Sequence, residues 1–205
     1  MNLEHQATYI SGNVCIRNKT VQSSDSLVYK SDEASDFFTF LYEKLDINYP
    51  KFFKMDALCK LGIAAAHVLL KDFDKTAYQP GELGIVLSNR SGSVEADINY
   101  FESSKTFPSP SLFVYTLPNI VIGEISIRYG FKGENAFFIS EQFDPEWIVF
   151  YVSNLMQYQG VKACICGWVD VENDEYDARF FLVEQGKENG LNFTADSLRE
   201  GCPAE

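Results

Sequence analysis

Histidine is scarce in this sequence: His5 and His67 are the only two among 205 residues. Neither stands at a spacing that builds a Cys-His pair or a Ser-His-Asp triad, and His67 falls inside an apolar helical pattern, where a structural or surface place is expected for it. The five cysteines (Cys15, Cys59, Cys164, Cys166 and Cys202) contain no Cys-x-x-Cys pair, which removes the common zinc arrangements. All five are expected as free thiols of a reducing compartment. Cys164 and Cys166 lie two apart in an apolar run, which puts both on one face of a strand as small core hydrophobes. Basic residues are also few, 17 Lys and Arg against 29 Asp and Glu, for a net charge of -12. Nucleic acid and anionic membrane are therefore excluded as partners, since both require a basic footprint. No apolar run approaches the roughly 18 residues of a membrane helix. The segment 1–6 has no basic stretch followed by an apolar one, so a cytoplasmic protein without a secretory signal is expected.

The usual catalytic and cofactor signals are missing too. Ser140 beside Glu141 lacks a base and the Gly-x-Ser-x-Gly elbow of a serine nucleophile. The turn Ser91-Gly92-Ser93 has no P-loop lysine. Asp170, Glu172, Asp174, Glu175 and Asp177 lack EF-hand spacing and are expected to be a solvated acidic turn. No metal or other cofactor is expected.

What is present is a chain that is 46% apolar and 15% aromatic, enough for one substantial core. A single domain is expected over residues 1–185, with 186–205 as an acidic, mobile tail. Residues 8–16 have strand composition and 17–32 read as loop. Residues 34–45 carry a helical spacing of Phe37, Phe38, Leu41 and Leu45, with Ser31 and Glu33 supplying its N-terminal chemistry. Residues 55–71 place Leu58, Leu61, Ala65, Val68 and Leu69 on one face of a second helix. Short apolar runs at 84–87, 136–139 and 163–171 predict buried strands, with 178–184 an antiparallel neighbour of the last. Helices are predicted from 94 to 101, from 119 to 129 and from 145 to 158. The helix from 145 is apolar almost all round, which places it in a core or an interface. This alternation predicts an α/β domain with a mostly parallel mixed sheet and helices on both faces.

Four segments, in order, resemble the N-terminal half of β-ketoacyl synthases. They are KMDALCKLGIAAAHVLL from Lys54, containing Met55 and Asp56; GIVLSNRSGS from Gly84; SPSLFVYTLPNIVIGEISIRYGFKGENAF from Ser109; and the strand from Tyr158 to Asp170. The third is the most specific, through Pro118, Asn119, Gly123, Gly133 and Asn135. The resemblance implies the N-terminal half of a thiolase-like fold. In active members the Gly-x-Asn leads into a strand that ends on a nucleophilic cysteine at a helix N-terminus, where free N–H groups and the helix dipole lower a thiol pKa.

Counted without a gap from Cys166-Gly167-Trp168-Val169-Asp170, that position falls on Gln142. Glutamine forms no acyl thioester, although a polar residue there also serves as a helix cap. The same replacement is typical of chain-length-factor subunits of bacterial polyketide synthases and of decarboxylating priming ketosynthases. The latter use two histidines of the C-terminal half, which this chain does not reach. The resemblance thus implies an inactive subunit that pairs with a full-length ketosynthase in fatty acid, polyketide or aryl polyene synthesis, meeting acyl carrier protein only through its partner. Phe137, Phe138, Gln142, Phe143 and Trp147 are the interface or acyl-tunnel candidates. The alternatives are a self-associating module that binds acyl chains or acyl carrier protein, and an active 3-oxoacyl synthase.

Overall fold

The computed structural model describes residues 6–24, 26–30, 36–172 and 175–203; His5, Ser31, Glu33, Ala34 and Asp174 lie outside them. Strand β1 (Thr8–Arg17) turns through Asn18 and Lys19, both at positive φ, into β2 (Thr20–Ser23), and β3 (Ser26–Lys30) pairs with β2. The stretch expected as loop after β1 is therefore a ribbon at the margin of the sheet. Its polarity reflects that outer position, with Val21 buried against the core.

Helix α1 (Phe37–Lys44) is capped by Asp36, whose carboxylate accepts from the Phe38 N–H at 3.2 Å. Helix α2 (Ala57–Leu69) is capped by Asp56, which accepts from the Cys59 N–H at 3.0 Å, while the neighbouring Met55 is buried. These two residues therefore start a helix that buries Leu58, Leu61, Ile63 and Ala64 to Ala66. The remaining elements are β4 (Leu83–Asn89), α3 (Val94–Ser104), α4 (Pro110–Phe113), α5 (Ile120–Tyr129), β5 (Asn135–Ile139), α6 (Pro145–Tyr158), β6 (Ala163–Glu172), β7 (Glu175–Gln185), β8 (Leu191–Asn192) and α7 (Ala195–Gly201).

The strands form one mixed sheet in the order β3-β2-β1-β7-β6-β4-β5, with β8 also on β1. Only β4 with β5 and β4 with β6 are parallel; the pairs of β1, β2, β3, β7 and β8 are antiparallel, as is β6 with β7. The sheet is mixed as expected, with 178–184 in a strand antiparallel to β6, but its parallel part is confined to β5-β4-β6, because β7 follows β6 in sequence without a crossover helix.

Helices cover both faces. Alternation along the strands sends Ile85, Leu87, Ile165, Phe180 and Leu182 into the core shared with α1, α2 and α5. Their neighbours Val86, Cys164, Cys166, Phe181 and Val183 enter a second core with Ile148, Val152, Leu155 and Met156 of α6 and Leu198 of α7. Cys164 and Cys166 do share one face, fully buried, and burial pushes both thiols well up from their ordinary values.

Two expectations change at the far end of the chain. The segment expected as a mobile tail contributes β8 and α7, with Leu198 fully buried and the Phe193 N–H bonded to the Thr8 carbonyl at 3.1 Å. The expectation of five free thiols gives way to a Cys15–Cys202 disulfide with Cα atoms 6.0 Å apart; Cys59, Cys164 and Cys166 remain free. The bridge spans 187 residues, and closing such a span restricts the unfolded chain by on the order of 5 kcal/mol in the chain-entropy picture.

Two of the glycines forced by close backbone approach lie in β6 and beneath β4. A Cβ at Gly133 would stand 2.7 Å from the carbonyl oxygens of both Gly81 and Leu83, so this motif glycine lets the chain run close beneath β4. Gly167, mid-β6, has φ +144°, and a Cβ there would lie 1.8 Å from the Arg179 carbonyl oxygen of β7. Gly167→Ala is expected to cost roughly 3 kcal/mol. Thermal unfolding should then show a midpoint lowered by about 6–12 °C.

Candidate functional site

The sheet's three parallel strands deliver their carboxyl ends to one side of the molecule, the usual place for a site in such sheets. An open groove of about 570 Å³ lies there, with Arg17, Arg90, Gln142, Phe143, Trp168 and Arg179 on its walls. It adjoins a second hollow of about 560 Å³ that shares Gln142, Phe143 and Arg179 and is closed by Arg199 and Cys202.

Gln142 is exposed in the connection between β5 and α6, and its backbone carbonyl accepts the Ser140 hydroxyl at 2.9 Å. It does not cap α6. That role belongs to Asp144, whose carboxylate accepts from the Trp147 N–H at 3.0 Å, with Pro145 opening the helix. A carboxylate already occupies the electropositive start of α6, so a nearby group gains little anionic stabilisation from that helix.

The aromatic candidates divide by strand alternation. Phe138 faces α6, its ring 5.6 Å from Trp147 and 4.9 Å from Tyr151 in edge-on contacts. Phe143 stacks on Phe181 at 6.3 Å and lies beneath the Arg179 guanidinium at 5.5 Å. Phe137 packs on the opposite face, against the core of α2. It is therefore separated from the other four candidates. Among the motif residues, Pro118 precedes Asn119 at the start of α5, Asn119 makes no side-chain cap there, Gly123 lies within α5, and Asn135 opens β5.

Helix α6 is half core and half surface. Ile148, Val152, Leu155 and Met156 are buried, whereas Trp147 and Phe150 are 41% and 57% exposed and their rings stand 5.5 Å apart. Next to it, β5 ends the sheet order, so its outer edge has no strand partner among the described residues. The expected burial of that strand is correspondingly incomplete: Ile139 is 58% exposed. The Ile139 side chain reaches the Gly92 turn, beyond which α3 exposes Val94 and Ile98. Exposed apolar side chains thus lie on both faces beside the β5 edge: Trp147 of α6, against Phe138, on one, and Ile139 with Val94 and Ile98 of α3 on the other.

Acidic residues at the groove are held by its cations. Asp177 pairs with Arg17 at 3.2 Å and Arg179 at 2.7 Å, and Glu172 pairs with Arg90. Asp170 is buried and accepts from the Ser91 N–H at 3.0 Å, the Arg90 N–H at 3.3 Å and the Ser91 hydroxyl at 3.3 Å. The turn Ser91-Gly92-Ser93 therefore does cradle an anion, supplied by the chain itself. The cationic rim and this turn lock were not apparent from spacing, because Asp170 lies 79 residues from Ser91. The parallel register of β4 with β6, Ser88 opposite Trp168, brings them together.

His67 lies across the sheet from α6. Its Nε2 contacts the Leu45 carbonyl at 3.0 Å, and the Tyr129 hydroxyl stands 3.4 Å from Nδ1. With Nε2–H donating and Nδ1 accepting, the neutral ring is satisfied, and burial lowers its pKa from the ordinary 6.5. The folded state thus resists a proton that the unfolded chain accepts. His67's contribution is full above pH 6.5 and is lost as pH falls from there through the lower folded pKa. Urea unfolding at a series of pH values should show this decline flattened in His67→Gln. Asp170→Ala should cost about 2 kcal/mol and speed amide exchange at Arg90 and Ser91.

No family model and no curated protein matches the sequence. Solved structures do. The ishigamide ketosynthase/chain length factor is 18% identical with a TM-score of 0.66, over 91% of this chain and 64% of that one. A type II polyketide synthase complex of ketosynthase, bound to the hexaketide, with its acyl-carrier protein (AntDE:AntF) is 15% identical, TM-score 0.62, over 96% and 65%. The ketosynthase ApeO in complex with its chain length factor ApeC from Xenorhabdus doucetiae is 14% identical, TM-score 0.56, over 88% and 79%. The chain spans about two thirds of the length of the first two. Its mixed sheet, sandwiched between helices, is the fold of ketosynthases and chain length factors.

Proposed function

We propose that this chain is a β-ketoacyl synthase-like subunit without condensing activity of its own, which pairs with a full-length ketosynthase in fatty acid, polyketide or aryl polyene synthesis. The observation that carries this reading is the β5 edge, without a strand partner among the described residues, with exposed Ile139 beside it on one face and exposed Trp147 and Phe150 of α6 on the other. An unpaired strand edge flanked by aromatic side chains suits another chain: main-chain hydrogen bonds fix the register and rings such as Trp147 supply the affinity.

The groove supports the inactive half of the proposal. Gln142 has no nucleophilic atom, Asp144 takes the α6 N-terminus, and His67 is occupied on the far face. Acyl carrier protein, itself acidic, meets a surface of net charge -12 here, so it engages the pair through the ketosynthase. The ketosynthase and chain length factor complexes among the structural neighbours agree with such a pairing.

Self-association is the second reading, favoured by the same edge, since an antiparallel strand pair is self-complementary about a two-fold axis. Co-expression with the ketosynthase of the same gene neighbourhood distinguishes them: a 1:1 heterodimer supports the proposal, and a homodimer that ignores the synthase favours the second reading. Phe150→Asp should weaken the heterodimer by about a hundredfold with the circular dichroism spectrum unchanged. Gln142→Cys should give no malonyl-dependent condensation on its own, and measurable turnover would defeat the inactive assignment.

A further inference from the structure

Cys15 and Cys202 join β1 to the residue that ends α7, and Cys202 also lines the hollow beside Gln142. Apart from the bridge, α7 is held among the described residues by one fully buried side chain that joins the core of α6 and by a set of polar pairs. Leu198 is buried, the Asn13 side-chain amide donates to the Gly201 carbonyl at 2.7 Å, Arg17 donates to the Pro203 carbonyl at 2.8 Å, and Arg199 pairs with Glu146 of α6. A seven-residue helix anchored by a single core side chain belongs to the part of a protein that opens locally.

The sulfur positions also suit the reduced form. As thiols, Cys15 Sγ would donate to the Gly201 carbonyl at 3.4 Å and Cys202 Sγ to the Val14 carbonyl at 3.7 Å. Neither redox state leaves a buried sulfur stranded, so the site is compatible with both.

We infer that Cys15 and Cys202 form a thiol–disulfide latch, which locks α7 against β1 and α6 and thereby fixes the wall of the hollow beside Gln142. In the reduced state only the weaker contacts keep α7 docked, so it lifts more often, and with each opening Arg199 leaves Glu146 and the hollow opens. A glutathione disulfide is the class of oxidant the step needs. One thiolate attacks it and releases a glutathione thiol, then the second attacks the mixed disulfide and releases another, so two electrons and two protons pass to glutathione. Both sulfurs are buried when α7 is docked, so local opening of α7 gates the exchange. This latch is independent of the pairing proposed above.

The test is to equilibrate the protein with oxidised or with reduced glutathione, alkylate it in denaturant and count modified cysteines by mass spectrometry, while following amide exchange. Three cysteines, Cys59, Cys164 and Cys166, should be modified after oxidation, and all five after reduction. Amides of α7 should exchange at least tenfold faster in the reduced protein, with α2 unchanged. Cys202→Ser should exchange fast under both conditions; the wild-type comparison stands without it. Five modified cysteines under both conditions, or equal α7 exchange in the two forms, would overturn the inference.

Discussion

The sheet is covered on both faces and left open at its β5 edge. Strands β4, β6 and β7 lie between two helical layers, and nearly every residue of β4 and β6 is buried. That double burial explains why their sequences read as continuous apolar runs rather than alternating ones. At β5 the arrangement stops: the strand is parallel to β4 on its inner side and presents main-chain N–H and C=O groups on its outer side. An uncharged edge of this kind is a hazard for an isolated chain. The exposed side chains of Ile139 on one face and of Trp147 and Phe150 on the other compound it, and a partner chain would cover them together with the edge.

The same end of the sheet sets the chemistry. The carboxyl ends of β4, β5 and β6 open onto a groove whose charges are largely committed to one another: Asp177 with Arg17 and Arg179, Glu172 with Arg90, Asp170 with the turn after β4. Gln142 enters this setting as a neutral, exposed carboxamide. Asp144, two residues on, holds the N-terminal amide of Trp147 that a nucleophile's helix would otherwise leave available. The groove is ordered by ion pairs and stacking rather than by a base and an acceptor.

Much of this was legible in the sequence. The apolar periodicity of α2, the burial of Cys164 and Cys166 on one face, and the chain of motifs from Met55 to Asp170 all gave local signals that tertiary structure left intact; the Asp56 cap came only with the structure. The all-round apolarity of α6 is answered by the core on one side, while Trp147 and Phe150 on the other side are exposed. The split of Phe137 from Phe138 was also available, because adjacent strand residues must face opposite ways. The β2–β3 ribbon was hidden by its polarity, since exposed edge strands share their composition with loops. The bridge from Cys15 to Cys202 and the docking of α7 depend on contacts 187 residues apart, and no local pattern carries such a contact. Asp170 and Ser91 meet only through strand register.

Pairing through β5 makes a demand on the amides of that strand. Hydrogen exchange of the outward-facing β5 amides, compared between the chain alone and the chain mixed with the ketosynthase, tests it most directly. The account predicts that alternate amides between Asn135 and Ile139 become protected on mixing, together with reduced labelling around Trp147 and Phe150. A stable complex in which those amides exchange as fast as in the free chain would contradict it.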